Sequence, residues 1–432
     1  MGSSPASTPL ALGGRTVLAL LFIATLINYL DRLAISIIAP NLQKQFSFSS
    51  VDYSHIVFFF IFGYTLGQTA FGKLIDRLGT RTGLLLSVGL WSVAACLHSL
   101  AMGIFTFGLF RFLLGFTEGG NWPGAVKAVS EHFPAPRRAF AVGVFNSGSI
   151  VGAILAPPAI VAIVRWWGWR PMFTIVGVSG FVWVAAWSHF YRPRALGNAP
   201  QADSEPKPRG STLQHLRQRA VWGLMIGRFF SDPTWWFYAF WLPTYLAQRR
   251  GFDLLSIGRW AWIPYAAAGV GGLLGGYASG LLVKRGWTPA AARKAVMVAG
   301  AAVMLAGLPA IWAQSHAAAL GWISVVLFGY ASWASNILSL PADIFPSAAV
   351  GEISGLSGTA AACGGMLLTL AVGRIVQLFS YAPVFVLASI MMVCAVMAAL
   401  ILVRPGGGRL SGDIAAISPA PAAAPEGARR IG

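Results

Sequence analysis

The sequence predicts an all-α integral membrane protein with twelve transmembrane helices in two six-helix halves. Three observations predict this fold. Hydrophobic residues make up 56% of the chain and charged residues only 10%, whereas the surface of a soluble domain needs more charge. Apolar runs of about 20 residues, the length that crosses the hydrocarbon core of a bilayer, recur along the chain. One long polar segment separates the sixth run from the seventh.

The apolar runs predict where each helix crosses the membrane. Short polar or Gly/Pro-containing segments separate neighbouring runs, as expected of loops. The predicted spans are 16–38, 55–75, 82–101, 104–126, 139–163, 171–190, 220–247, 255–283, 295–313, 318–341, 353–379 and 383–403. The first run is too long for a signal peptide and contains Asp31 and Arg32, so we expect it to be retained.

The placement of positive charge predicts the orientation. The net charge is +18, and most of the 31 Lys and Arg lie in the two tails and in the loops on the same side as the tails. Cytoplasmic loops of membrane proteins carry such an excess of Lys and Arg. We therefore expect both termini in the cytoplasm. This placement also accounts for the charge without a nucleic-acid partner.

The polar segment 191–219 divides the chain. It is rich in Pro, charged and small residues, a composition typical of a linker. The predicted units are an N-terminal tail at 1–15, a six-helix bundle at 16–190, this cytoplasmic linker, a second six-helix bundle at 220–403 and a C-terminal tail at 404–432.

Two short matches relate the halves to each other. GKLIDRLG at 72–79 resembles GLLVKRGW at 280–287, and EHFP at 131–134 resembles DIFP at 343–346. Both pairs fall at equivalent loops of the two halves. This placement is expected of an internal duplication.

The stretch NYLDR at 28–32 places ionisable groups near the middle of the first span. A charge at that depth costs on the order of 3 kcal/mol, so it should face a partner or a water-filled cavity. Arg32 points about 100° away from Asp31, because adjacent helix residues do not share a face. Asn28 and Tyr29 precede Arg32 by four and three residues. They therefore extend a polar stripe beside it that could hold a hydrated anion.

The stretch RFLLGFTEGGNWPG at 111–124 carries a matching signal in the fourth span. Its spacings place four residues on one helix face: Arg111, Gly115, Glu118 and Trp122. Gly115 permits close approach by another helix. Ionisable residues inside membrane spans are by default functional, so we expect Asp31, Arg32, Arg111 and Glu118 to converge on a water-filled chamber. The alternative is a buried ion network, such as Asp31 with Arg111 or Arg32 with Glu118.

Polar residues in other spans are less specific. Each either lines a cavity or packs between helices: Tyr64, Asn146, Trp333 and Asn336. One aromatic residue of SDPTWWFYAFW at 231–241 is expected to face the cavity, and Pro233 to kink its helix. Cys96, Cys363 and Cys394 lie in separate spans without metal-ligand spacing, so no metal or cofactor is predicted.

Three motifs resemble the major facilitator superfamily, and more narrowly its anion:cation symporter branch. GKLIDRLGTR at 72–81 resembles the superfamily's loop between helices 2 and 3. NYLDR resembles the branch's helix 1 signature. RFLLGFTEGGNWPGAVKAVSEHFP at 111–134 resembles its helix 4, and the NWP continuation favours the bacterial hexuronate transporters. The resemblance covers nearly the whole chain except its tails.

The resemblance implies a role for individual residues. The implied substrate-binding residues are Tyr29, Arg32, Tyr64, Arg111, Asn146, Trp333 and Asn336. The implied proton-coupling residues are Asp31 and Glu118. The implied cytoplasmic gate motif comprises Gly72, Asp76, Arg77 and Arg81. The second-half loop departs from the pattern, with Lys284 where the first half has Asp76, so we assign no gating role to 280–285.

The resemblance also implies a function. We expect a secondary active transporter, not an enzyme, that imports a sugar acid anion with protons by alternating access. The substrate would be a hexuronate, or otherwise an aldonate or related organic acid, and the protein a monomer in the bacterial cytoplasmic membrane. Two alternatives stay open: an organophosphate antiporter using Arg32 and Arg228, and a transporter-like sensor. An enzyme is disfavoured, since the sequence has no HExxH, GxSxG or Walker-type loop.

Overall fold

The computed structural model describes residues 12–192 and 212–403. Most of the two predicted tails and of the linker lies outside the described residues. The described chain is nearly all helical. Its helices are α1 (Leu12–Phe46), α2 (Ser50–Leu97), α3 (Ile104–Glu118), α4 (Asn121–His132), α5 (Ala135–Trp167), α6 (Trp169–Phe190), α7 (Thr212–Leu216), α8 (Arg219–Arg250), α9 (Leu254–Trp260), α10 (Trp262–Lys284), α11 (Pro289–Met304), α12 (Gly307–Trp312), α13 (His316–Ile337), α14 (Leu340–Ile344), α15 (Ser347–Leu378) and α16 (Ala382–Leu402).

These helices supply the twelve predicted crossings. Nine helical segments within the described residues are long and apolar enough to cross a membrane. One of them, Ser50–Leu100, contains two predicted spans, which meet at Gly79, a non-helical residue with φ 80° and ψ 160°. The fourth crossing is α3 with α4, which a turn at Gly119 and Gly120 separates. The seventh is α8, which is less apolar because of its Trp, Tyr and Pro residues and runs through Pro233 as one helix.

Glycines let α2 and α3 pack backbone against backbone. A Cβ atom at Gly67 would collide with the carbonyl oxygen of Phe116, and one at Gly115 with that of Phe60. Any larger residue at these positions would force the two helices apart. The predicted role of Gly115 in close helix approach is therefore confirmed. This contact holds α3, and the ionisable residues that it carries, close to the centre of the first half.

The two halves meet at one end of the bundle, which we call the opposite face. It is the end at which α1 finishes; the terminal face is the end at which α1 begins and α16 finishes. At the opposite face Gln248 Nε2 donates to Gln43 Oε1 at 3.1 Å, and the Tyr53 hydroxyl donates to the Phe240 carbonyl at 2.7 Å. Gly373 of α15 packs there against α2, where a Cβ would collide with Ser54.

Toward the terminal face the halves lie apart. Gly269 of α10 packs on Ile150 of α5, but Gly276, two turns along the same face of α10, has open space where a Cβ would be. Gly355 likewise shares a helix face with Gly373 and has open space around it. The structure is therefore closed at the opposite face and open at the terminal face.

Substituting Gly373 with Val should prevent closure of the opposite face, because the added side chain would overlap Ser54. The measurement is chemical crosslinking of Gln43→Cys with Gln248→Cys, with Cys96, Cys363 and Cys394 replaced by Ala. We expect Gly373→Val to slow crosslinking at least tenfold. Gly321→Val is the matched control, since Gly321 has open space on α13. Equal crosslinking rates in both variants would contradict the assignment of the closed face.

Substituting Gly67 with Ala should destabilise the fold by about 1–3 kcal/mol, the usual cost of overpacking. The control is Gly89→Ala on the same helix, where a Cβ meets nothing within 4 Å. Its expected effect is slightly stabilising, because Ala is the better helix former. Thermal unfolding of the purified variants in detergent measures both changes. A Gly67→Ala protein as stable as the control would rule out the close contact of α2 with α3.

Candidate functional site

Helices α1 and α3 bring together the four ionisable residues predicted in the first half. Asp31 is 2% exposed and Arg32 4%, whereas Arg111 and Glu118 are fully buried. None of the four points outward toward lipid. Such a concentration of buried charge is stable only if each group finds a partner, a water or a proton.

Arg32 forms an ion pair with Glu118. Its Nη2 and Nε atoms lie 3.0 and 3.3 Å from Glu118 Oε2. Nη2 also donates to Oδ1 of Asn28 at 3.0 Å, as the spacing of four residues on α1 predicts. The sequence analysis left open two buried ion pairs, Asp31 with Arg111 and Arg32 with Glu118. The structure contains the second. The cation next to Asp31 in the sequence is therefore neutralised by an acid on another helix.

Arg111 donates hydrogen bonds to the backbone of α1. Its Nη1 and Nη2 atoms donate to the carbonyl oxygens of Arg32 at 3.2 Å and Asp31 at 3.5 Å. Its Nε has no hydrogen-bond partner within the described residues. The guanidinium thus fixes the turn of α1 that carries the acid and the base. A direct contact of Arg111 with substrate stays a prediction, and this conformation leaves it no exposed surface.

Asp31 has a buried oxygen without a partner. Its Oδ2 accepts no hydrogen bond from the described residues, and no Lys or Arg among them lies in ion-pair distance of its carboxylate. Buried polar groups are rarely left unpaired, so a water or a proton belongs at this oxygen. Asp31 is therefore the less constrained of the two buried acids.

Aromatic rings enclose the Arg32 guanidinium. Its Cζ lies 4.8 Å from the ring centre of Tyr29, 4.7 Å from Tyr64 and 5.4 Å from Phe60. Trp236 of the second half completes the enclosure at 5.9 Å. The rings attract the cation and keep water from it. Trp236 is thus the residue of 231–241 that lies against the Arg32 guanidinium, which the sequence could not single out, and Phe60 was missed.

The expected water-filled chamber is wrong for Arg111 and Glu118 in this conformation. Neither has exposed surface, because α3 packs closely on α2 and Arg111 binds the backbone of α1. Among the four groups, Arg32 has the largest remaining exposure, and it faces Tyr29 and Tyr64. A guest molecule would therefore approach the pair from the Arg32 side.

Asn146 lies at the edge of the opening between the halves. It is exposed, and it precedes Ile150 by one helical turn on α5. Since Ile150 packs against the second half, Asn146 is directed toward the part of the same interface that is open. This position is compatible with the predicted contact to substrate, which stays a prediction.

Trp333 and Asn336 lie within the second half. Both are fully buried. Asn336 Nδ2 donates to the carbonyl oxygens of Gly275 at 3.2 Å and Ser332 at 2.9 Å, which ties α13 to α10. The structure therefore gives Asn336 a packing role and does not bring it to Arg32. The predicted sugar contacts of these two residues stay predictions.

A second ion pair, outside the predicted site, lies on α8. Arg228 Nη2 and Nε lie 2.8 and 3.1 Å from Asp232 Oδ2, and Nη1 donates to Ser357 Oγ of α15 at 3.2 Å. The two side chains are 16% and 14% exposed. Their spacing of four residues was the available signal, because it places them on one helix face.

The gate motif binds elements of its own half. Asp76 pairs with Lys127 of α4 at 2.9 Å, and Arg81 donates to the Ser188 carbonyl of α6 at 2.7 Å. Gly72 and Asp76 line a cavity of about 420 Å³ between α2 and α4. Arg77 is exposed at the terminal face. The gating role of these residues stays a prediction, since their contacts here are within the first half.

The model of the Major Facilitator Superfamily matches residues 21–367. The chain belongs to the Major Facilitator Superfamily. It is therefore a multi-pass membrane protein of a transporter family, and both the predicted family and the predicted fold are confirmed.

Proteins similar in sequence to this chain include two named transporters. The chain is 30% identical to the hexuronate transporter of Escherichia coli K12 over 390 residues, which cover 87% of this chain and 90% of that protein. It is 34% identical to the galacturonate transporter of Dickeya chrysanthemi over 275 residues, 60% of this chain and 80% of that protein. The crystal structure of a D-xylose-proton symporter superposes with a TM-score of 0.72 at 18% identity, covering 90% of this chain and 98% of that one. That structural likeness concerns the fold.

Removing one member of the buried ion pair should cost far more stability than removing both. We expect Arg32→Gln to destabilise the protein by about 3–5 kcal/mol, because Glu118 would keep a buried charge without its partner. Adding Glu118→Gln should restore at least about 1 kcal/mol of that loss.

The matched control is the pair of Lys127 and Asp76, whose side chains are 28% and 75% exposed. Lys127→Gln should change stability by less than about 1 kcal/mol, because solvent screens an exposed pair. Unfolding in detergent measures all variants. Strictly additive effects of Arg32→Gln and Glu118→Gln would show that the two charges do not interact.

Proposed function

We propose that this protein is a proton-coupled symporter that carries a sugar acid anion into the cell by alternating access. The first substrate is a hexuronate, and otherwise an aldonate or related organic acid. The single observation that carries the proposal is the Arg32–Glu118 ion pair under a ring of aromatic side chains. There an internal carboxylate occupies the position that a substrate carboxylate would take.

The aromatic enclosure suits a sugar acid. Arg forms strong, directional hydrogen bonds with a carboxylate. The hydroxyls of Tyr29 and Tyr64 can exchange hydrogen bonds with sugar hydroxyls, while ring faces pack on the C–H surface of the sugar. The hexuronate and galacturonate transporters that this chain resembles are named for substrates of this kind. A hexuronate is therefore the first substrate to test.

The ion pair supplies a route to proton coupling. A substrate carboxylate that takes the Nε–Nη2 edge of Arg32 displaces Glu118, and a displaced buried carboxylate without a partner costs several kcal/mol. A proton on Glu118 removes that cost. Proton binding and anion binding therefore strengthen each other, and by linkage the effect is reciprocal. Asp31, with its unpartnered oxygen, is a second acid that can hold a proton beside the site.

The membrane potential explains the need for coupling. Moving one negative charge into a cell costs about 2.3 kcal/mol per 100 mV of interior-negative potential. One co-transported proton cancels this cost, and a second proton would drive accumulation. With the termini in the cytoplasm of a bacterial inner membrane, the open terminal face is the inward face. The described conformation is then the one that releases substrate.

Substituting Glu118 with Gln should separate anion movement from proton movement. We expect proteoliposomes containing Glu118→Gln to exchange labelled glucuronate with internal glucuronate but to lose at least tenfold of its accumulation under an imposed pH gradient. Asp31→Asn should also reduce accumulation, because it removes the second protonatable group.

The control is Asp253→Asn at the exposed N-terminus of α9, where Asn caps a helix as well as Asp does. It should accumulate glucuronate like the unaltered protein. Full proton-driven accumulation by Glu118→Gln would eliminate the coupling role. Binding of glucuronate without any uptake would instead favour a sensor, and competition by sugar phosphates an antiporter.

A further inference from the structure

A small pocket lies at the opposite face, away from the central site. Helices α8, α12 and α16 of the second half enclose it, and its volume is about 120 Å³. Its polar lining consists of Arg249 and Arg250 at the end of α8 and of two tyrosines, Tyr245 and Tyr381. Arg249 is exposed, whereas both tyrosines are buried. The volume is roughly four times that of one water, enough for a carboxylate group and the carbons next to it.

The pocket carries two positive charges that no acid neutralises. No Asp or Glu among the described residues lies in ion-pair distance of Arg249 or Arg250. Arg250 is held in place by hydrogen bonds that it donates to the Tyr245 hydroxyl at 2.8 Å and to two carbonyl oxygens, those of Ala310 and Ala313. Arg249 is exposed, so its guanidinium is available to an anion.

The tyrosine hydroxyls supply further hydrogen-bond donors. The Tyr245 oxygen accepts from Arg250, and its own proton has no acceptor within the described part of the chain. The Tyr381 hydroxyl donates to Gln248 Oε1 at 3.0 Å. Arg249 is close enough to interact electrostatically with both tyrosine hydroxyls. An arginine beside two O–H donors suits a carboxylate, whose two oxygens accept several hydrogen bonds.

Tyr381 is also linked to the contact that closes the opposite face. Gln248 accepts the Tyr381 proton through Oε1 and donates from Nε2 to Gln43 Oε1 of the first half at 3.1 Å. Gln43 Nε2 has no partner among the described residues, so one hydrogen bond joins the two amides. A tyrosine hydroxyl has a single proton to donate. A ligand that accepts this proton therefore releases the Gln248 side chain and weakens its bond to Gln43.

We propose that this pocket binds a carboxylate and that its binding favours opening of the opposite face. The inference goes beyond the proposed function, because it concerns a second site outside the central one. All residues that line the pocket belong to the second half, so the pocket stays intact when the halves rock. A ligand that competes with Gln248 for Tyr381 binds the open conformation more tightly than the closed one. It therefore shifts the equilibrium toward opening.

Labelling of a single cysteine measures this opening. Ser54 is fully buried and packs against Gly373 while the opposite face is closed. The full chain carries Ser54→Cys, with Cys96, Cys363 and Cys394 replaced by Ala, and reacts with a maleimide in detergent. We expect acetate or glucuronate to raise the labelling rate at least threefold at constant ionic strength. Chloride or phosphate raising the rate as much as acetate overturns the assignment to a carboxylate.

Substitutions separate the pocket from the central site. Arg249→Gln should abolish the response to acetate, whereas Arg259→Gln, at an exposed arginine of the same face, should keep it. Tyr381→Phe should be labelled at least threefold faster without any anion, because Gln248 has lost its donor. Acetate should then add nothing further. A response to acetate that survives Arg249→Gln overturns the proposal.

Further outcomes separate this inference from the proposed function. Should Tyr381→Phe fail to fold, Tyr245→Phe should raise the acetate concentration for half-maximal response at least threefold, and an unchanged concentration overturns the proposal. Uptake of glucuronate without any effect of carboxylates on labelling overturns the pocket and leaves the proposed function standing. A response to acetate in a protein that takes up no sugar acid supports the pocket and overturns the proposed function.

Discussion

The ion pair between Arg32 and Glu118 constrains how the helices of the first half can pack. Two opposite charges at mid-depth are tolerated only because each cancels the other across two helices. The pair therefore forms only if α1 and α3 stay in close and fixed contact. Arg111 holds α1 against α3 by donating hydrogen bonds to two carbonyl oxygens of the turn that carries Arg32. The aromatic rings pack around the Arg32 guanidinium.

Helix packing in the first half positions this pair. In a membrane the hydrophobic effect does not drive helices together, so contact depends on close van der Waals packing at small residues. Gly67 and Gly115 provide it between α2 and α3. The same packing closes Glu118 off from water, so its charge depends on neighbouring protein groups, chiefly Arg32 and then Arg111.

Each half contains an arginine paired with a carboxylate of the same half, Arg32 with Glu118 and Arg228 with Asp232. The side chains of the pair in the first half are 5% and 0% exposed, whereas those of the pair in the second half are 16% and 14% exposed. Contacts of Gln43 with Gln248 and of Tyr53 with Phe240 close the opposite face, so the space between the halves opens toward the terminal face.

Hydropathy, short motifs and helical spacing can each be read within a single span, so they were enough to predict the membrane crossings, the family and the polar residues of NYLDR and of the fourth span. Helical spacing also placed Asn28 beside Arg32. The pairing of Arg32 with Glu118, and the binding of Arg111 to backbone, became clear from the packed helices, since helical spacing was equally compatible with a pair of Asp31 and Arg111. The packing supplies further detail. It also selected Trp236 from a run of aromatic residues and gave Asn336 to helix packing. Which polar groups meet depends on how helices far apart in the sequence approach each other, and no single span encodes that approach.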